Sequence, residues 1–354
     1  YHHGKGDEMK AAVIQEIGSP LAIEDIPDPE PGLTDLILKV GACGICGTDL
    51  HMSENKDPNV GWRMMHPGCV MGHEFAGEVM EVGREAKQHW HPGDRVTALP
   101  WISCGECPAC QAGLGYRCPN VISRATADLP GAYAEYCRVG ARETIRLPDQ
   151  VSFREGALVE PLAVGFNAVR RANLKPGDRV LIVGAGPVGL TVAMWCRFFG
   201  AQHIVVSDLV PARAQRSMAL GATAIIDASV GDVPEQAAAA AGGPPRVVFD
   251  CVGVPGSLQL VIDYAAPNAQ IVIVGLCMAG DHLFPTKALV KELDISFAYV
   301  YREEDFATVV HLLAEGRIDT APMVSDKVDL TAFPTAFEDL KQPNLQIKVM
   351  LEVD

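Results

Sequence analysis

The stretch DRVLIVGAGPVGLTVAMWCRFFG (residues 178–200) restricts the possible folds more than any other part of the chain. Its first part is a continuous apolar run suited to a strand covered on both faces. Its second part has helical spacing, with Pro187 at the start and Gly200 at the end. Between them Gly184, Gly186 and Gly189 form GAGPVG. G-x-G-x-x-G is weak by itself. Placed directly after a strand and before a helix, its glycines permit a tight turn and let backbone N–H groups and the helix N-terminus approach a pyrophosphate. HIVVSD, TAIID, RVVFDCVG and QIVIVGL read as further strands, with helical segments such as PARAQRSMALG between them. This alternation predicts an α/β domain with a doubly wound parallel sheet. Asp208 ends the second strand, where a carboxylate accepts hydrogen bonds from the adenine-ribose hydroxyls and repels a 2′-phosphate. NAD(H) is therefore favoured over NADP(H), with Arg213 close enough to act in the opposite sense. Pro187, Val188, Val252, Val274 and Leu276 complete the candidate cofactor contacts.

With 354 residues the chain is long enough for two domains. Residues before about 150 are broken by Gly and Pro every few positions, with short β-rich runs such as AAVIQEIG, DLILKV and GEVMEVG, the texture of an irregular β domain. After residue 298 a helix at about 303–315 and short β-rich runs ending in LQIKVMLEV are expected to complete that first domain. The expected division is 1–160 with 299–354, and 161–298 for the dinucleotide domain. YHHGKGDE ahead of Met9 reads as a tag remnant, so His2 and His3 are excluded from any site. A net charge of −15 repels nucleic acid and anionic lipid, and no run approaches the roughly 18 apolar residues that span a bilayer. Neither nucleic acid nor a membrane is expected as a partner.

Eleven cysteines without a secretory pattern fit a reducing compartment, so a cytoplasmic protein with metal-holding thiols is expected. Cys104, Cys107, Cys110 and Cys118 follow C-x2-C-x2-C-x7-C, which matches a closed tetrahedral zinc site; a four-cysteine iron–sulfur cluster is the runner-up. Cys69, Cys137, Cys196, Cys251 and Cys277 read as small buried hydrophobes. CGICGTDLH (43–51) allows two readings, metal binding or a redox C-x2-C pair. An open catalytic metal site needs about three protein ligands. Cys46, His73 from GHEFAGEVMEVG, and a carboxylate from Glu74 or from Glu160 in VEPLAVG meet that count.

CGICGTDLH, MGHEFAGEV, the four-cysteine stretch, VEPLAVG and GAGPVG occur in the order found in the zinc-dependent medium-chain alcohol dehydrogenases, which the chain resembles over nearly its whole length from Met9. The Glu160-Pro161 pair is similar to the sorbitol, butanediol and threonine dehydrogenase branch. The resemblance implies a Rossmann domain plus a mainly β, GroES-like catalytic domain carrying a structural zinc lobe, with one catalytic and one structural Zn2+ per subunit, NAD, and a homodimer or homotetramer. It implies that Cys46 and His73 ligate the catalytic zinc with Glu74, Glu160 or both, that Asp49 orients His73, and that Thr48 and His51 relay the alcohol proton. Cys43 is then no redox partner. The expected substrate is a secondary alcohol or its ketone, aliphatic or alicyclic, with Trp62, Met64, Met65, Trp101 and Leu276 as candidate apolar lining; a polyol or diol is the alternative. Sorbitol dehydrogenases carry Arg-Tyr where this chain has Val300-Tyr301, with Arg302 two positions on. A nucleotide-binding protein with degraded catalysis is the outside option, against which Cys46, Thr48, His51 and His73 stand intact. An aldehyde-specific enzyme would be expected to have a longer chain.

Overall fold

The computed structural model describes residues 8–57, 65–124, 128–342 and 345–353. The chain forms two compact units, one of Tyr1–Glu160, Arg302–Thr320 and Val324–Asp354, the other of Pro161–Tyr301 and Ala321–Met323. The chain passes from the first to the second within the helix Phe153–Arg171, which carries Pro161 in its interior.

The second unit is built on a six-stranded parallel sheet. Its spatial order is Ala224–Asp227, His203–Asp208, Arg179–Val183, Val247–Asp250, Gln270–Ile273 and Asp294–Phe297. The order reverses on either side of Arg179–Val183, so its C-terminal end lies at the switch point where such sheets bind ligands. Leu181, Val205, Val248 and Ile271 are buried in one apolar cluster, as expected for strands covered on both faces. Beside them Trp195 is fully buried, packs edge-to-face on Phe166 at 4.8 Å and donates Nε1–H to the Leu162 carbonyl at 2.8 Å. Gln270–Ile273 has neighbours on both sides, whereas Asp294–Phe297 is an edge strand of this sheet.

The first unit holds a seven-stranded sheet centred on Asp35–Gly44, which pairs antiparallel with Glu74–Val82, Tyr136–Gly140 and the late strand Lys348–Glu352. Gly44 lies opposite Glu74 on one side and Met350 on the other. This register decides the site: it carries Lys348, near the end of the chain, to the segment that leads from Gly44 into Cys46. The scattered cysteines divide. Cys43, Cys69, Cys137 and Cys196 are buried, whereas Cys251 and Cys277 are only partly covered, because both follow strand ends rather than lying within strands.

Candidate active site

Cys46 caps the helix Gly47–Glu54 with extended backbone, and His73 and Glu74 stand where the strand Glu74–Val82 begins. One ligand atom from each of the three lies within 4.8 Å of the others. A thiolate, an imidazole and a carboxylate this close are a donor set suited to zinc. His73 Nδ1 is 3.2 Å from Asp49 Oδ1, so Nε2 is the nitrogen that would face a metal. Asp49 is buried, and its other oxygen accepts the Tyr133 hydroxyl hydrogen bond. Tyr133 is itself fixed by the rings of Phe333 and Phe337. Burial opposes a charge on His73, but Asp49 and Cys46 outweigh it and hold its pKa well above the usual histidine range. Burial, reinforced by the Asp49 charge, pushes the Tyr133 phenol well up, so it stays a neutral donor.

Glu74 is not free to serve a metal alone. Lys348 Nζ donates to Glu74 Oε1 at 2.6 Å, to Oε2 at 2.7 Å and to the Ile45 carbonyl at 2.9 Å, with both side chains 1% exposed. Burial lowers the Lys348 pKa, but Glu74 and Cys46 outweigh it and the net shift is upward. Glu160, on the helix Phe153–Arg171, is buried outside the group of three, although its charge acts on Lys348. Thr48 and His51 lie three residues apart on the helix Gly47–Glu54 and so share a face, Thr48 partly buried and His51 exposed.

The sequence reading missed Lys348 and Tyr133. Only Lys348 left a signal, as a lone cation in the apolar run IKVMLEV. Two proposed lining residues are corrected. Trp101 is buried against Tyr116 at 5.9 Å between ring centres, and Met65 is buried too, so both serve packing. Trp62 and Met64 lie outside the described residues.

Cys104, Cys107, Cys110 and Cys118 converge to within 4.8 Å. Their sulfurs are 3.5 Å apart for Cys107 and Cys110 and 3.9 Å for Cys104 and Cys110. A tetrahedron with Zn–S bonds of about 2.3 Å has edges of about 3.8 Å, so the four thiols fit that ion. Burial opposes the Cys110 thiolate, but hydrogen bonds led by Ser103 and Cys107 bring its pKa down to about 6, while that of Cys107 rises to about 11.

In the second unit, Gly184 has φ +98° and Gly186 caps the helix Pro187–Phe198. A Cβ on Gly189 would meet the Gly184 carbonyl oxygen at 1.9 Å, whereas one on Gly186 would meet nothing within 4 Å. Gly189 therefore serves helix–strand packing, and Gly186 keeps open the space a pyrophosphate would take. Asp208 Oδ2 accepts from Ala185 N at 2.7 Å and Oδ1 from Val210 N at 2.8 Å, tying the glycine turn to the end of the second strand. Pro187 and Val188 open the helix, and Val252, Val274 and Leu276 follow the ends of two adjacent strands. Arg213 lies on the short helix Pro211–Arg216 after Asp208.

A dinucleotide turn and two cation-binding groups of different character define a metal-dependent dehydrogenase. The comparisons with known proteins agree. The family model "Alcohol dehydrogenase GroES-like domain" matches residues 32–149, and "Zinc-binding dehydrogenase" matches 187–315. Sorbitol dehydrogenase of Bacillus subtilis is 33% identical over 99% of this chain and 98% of its own length. The 2R,3R-butanediol dehydrogenase of Bacillus subtilis superposes with a TM-score of 0.85 at 32% identity, over 98% of this chain and 100% of that one. A structure described as a zinc-binding dehydrogenase of Sinorhizobium meliloti, bound to NADP, gives 0.87 at 31% identity, over 98% and 99%. The chain belongs to the zinc-dependent medium-chain alcohol dehydrogenases, in their sorbitol and butanediol dehydrogenase branch. It is an oxidoreductase that moves a hydride between a nicotinamide dinucleotide and an alcohol or ketone.

Proposed function

We propose that the chain oxidises short secondary alcohols, small diols included, with NAD+ in preference to NADP+, at a centre formed by Cys46, His73 and a carboxylate. The observation that carries this reading is the convergence of Cys46, His73 and Glu74 with Asp49 behind the imidazole. These residues would hold a zinc ion, which would supply Lewis acidity towards the alcohol oxygen. Asp49 fixes the His73 ring with Nε2 outward. Thr48 takes the alcohol proton as it passes its own on towards the exposed His51, which hands a proton to solvent. The four-cysteine site is structural, since four thiolates leave no open position. NAD+ reduction over a panel of alcohols tests the reaction class.

Asp208 supports the cofactor preference. Asp208→Gly is expected to narrow the NAD/NADP ratio of kcat/KM about tenfold or more, because repulsion of the 2′-phosphate disappears and Arg213 remains. The KM for NAD should rise as well, since Ala185 N and Val210 N lose their acceptor. Steady-state kinetics with both cofactors checks this; an unchanged ratio contradicts it.

The substrate reading rests on Val300. Sorbitol dehydrogenases carry Arg at this position, and each buried hydroxyl left unpaired costs roughly 1–3 kcal/mol. Val300 has φ +55°, a conformation unfavourable to a β-branched residue, and its carbonyl accepts from Asn167 Nδ2 at 2.7 Å. Val300→Arg is therefore expected to raise kcat/KM for sorbitol about tenfold without loss of thermal stability. Efficient sorbitol oxidation by the unmodified protein would contradict the reading. Arg302 is engaged elsewhere: it caps the helix Glu303–Ala314 and pairs with Glu304 at 3.6 Å.

A homodimer or homotetramer is supported by the edge strand Asp294–Phe297, beside which Leu289, Val290, Phe297 and Tyr299 are exposed. The eleven free cysteines support a reducing, cytoplasmic setting. Among the described residues no helix is long and apolar enough to cross a membrane.

A further inference from the structure

Arg142, between the strands Tyr136–Gly140 and Thr144–Arg146, reaches into the four-cysteine loop. Nη1 donates to Ser103 Oγ at 3.1 Å, and Nη2 donates to the Cys110 carbonyl at 3.2 Å and to both Glu303 carboxylate oxygens at 3.4 Å. The guanidinium's charge also acts on the Cys110 sulfur. Glu303 opens the helix Glu303–Ala314, and its backbone N–H is donated back to the Gly113 carbonyl at 3.2 Å. One planar cation thus touches the start of the metal loop, its third cysteine, and the first residue of a helix far away in sequence. Glu143, next in the chain and buried, accepts from Ser103 N at 3.2 Å and Ser103 Oγ at 2.7 Å, which fixes the base from which Arg142 extends.

Four thiolates around a divalent cation carry a net charge of about −2, which is costly in a partly dry loop unless a cation stands beside it. Glu143 and Glu303, the two carboxylates paired with Arg142, are acidic and worsen the balance. We infer that Arg142 is a positioning residue that compensates the four-thiolate site and couples it to the start of the helix Glu303–Ala314. Metal retention in the loop and order at the helix start then rise and fall together. A fork is needed for this, because Lys could supply the charge but not hold Ser103, Cys110 and Glu303 at once.

The inference rests on the four-cysteine group being a metal site, and the test separates the two. Zinc-loaded protein is first treated briefly with a chelator to strip the open site, and release of the retained zinc is then followed with a thiol-reactive mercurial and a chromogenic zinc indicator. Hydrogen exchange of the peptide spanning residues 302–306 is measured in parallel. Arg142→Met should release the retained zinc about tenfold faster and raise exchange in that peptide. Arg142→Lys should recover much of the release rate but not the exchange protection, and Glu303→Gln should raise exchange with a smaller change in release. A wild-type release rate in Arg142→Met overturns the inference. So does unchanged exchange at 302–306 when zinc is removed from the unmodified protein, a comparison that needs no variant to fold. Absence of retained zinc in the unmodified protein would instead remove the metal-site reading, and the inference with it.

Discussion

Lys348→Met is expected to destabilise the protein by about 3–5 kcal/mol, the usual cost of removing one partner from a buried ion pair. Methionine has nearly the length of lysine, so packing is largely kept and the loss isolates the charge. Lys348 Nζ is the donor to both oxygens of Glu74 and to the Ile45 carbonyl, and both side chains are buried. Without it the buried Glu74 loses the cation that touches both its oxygens. Turnover should fall together with stability, because the same lysine determines where the Glu74 carboxylate stands relative to Cys46 and His73. Adding Glu74→Gln to Lys348→Met should restore a large part of the stability, since the uncompensated charge is gone, but not the turnover. Urea unfolding of the single and double variants decides the point; a loss below about 1 kcal/mol in the single variant would show the pair to be dispensable.

Cys46→Ser should lose turnover by more than the roughly 100-fold at the upper end for residues that merely orient a ligand, while keeping the fold. Cys46 is partly exposed at a helix start, so the substitution is expected to remove the proposed metal ligand with little effect on packing. Asp49→Asn gives the graded comparison. It leaves the ligands in place but weakens the hold on His73 Nδ1 and the acceptor for Tyr133, and metal affinity is expected to fall about 10–100-fold. Metal titration with circular dichroism on both variants checks the order; equal affinity in Asp49→Asn and the unmodified protein would detach Asp49 from the site.

The parts of this account that were legible in the sequence are those whose partners are close in the chain. GAGPVG with its flanking strand and helix, and the C-x2-C-x2-C-x7-C loop, are local patterns with a local physical cause. Lys348 and Glu74 meet only because antiparallel strands bring distant segments into register, and Tyr133 reaches Asp49 on the helix Gly47–Glu54 from 84 positions away; residue type encodes neither approach. Trp101 and Met65 show a second limit, since an apolar side chain reads the same whether it lines a pocket or fills a core. The helix Phe153–Arg171 shows a third: proline disfavours a helix interior, yet Pro161 lies inside nineteen helical residues, directly after Glu160.

The central claim is that one chain carries two metal sites of unequal lability, and that chemistry belongs to the open one. Zinc content, NAD+ reduction with a secondary alcohol, and far-ultraviolet circular dichroism measured before and after brief chelation test it most directly. Two zinc ions per chain are expected, then the loss of one with the loss of activity and an unchanged fold, and recovery of activity when zinc is restored. A single tightly held zinc, or full activity after one has been removed, would contradict it.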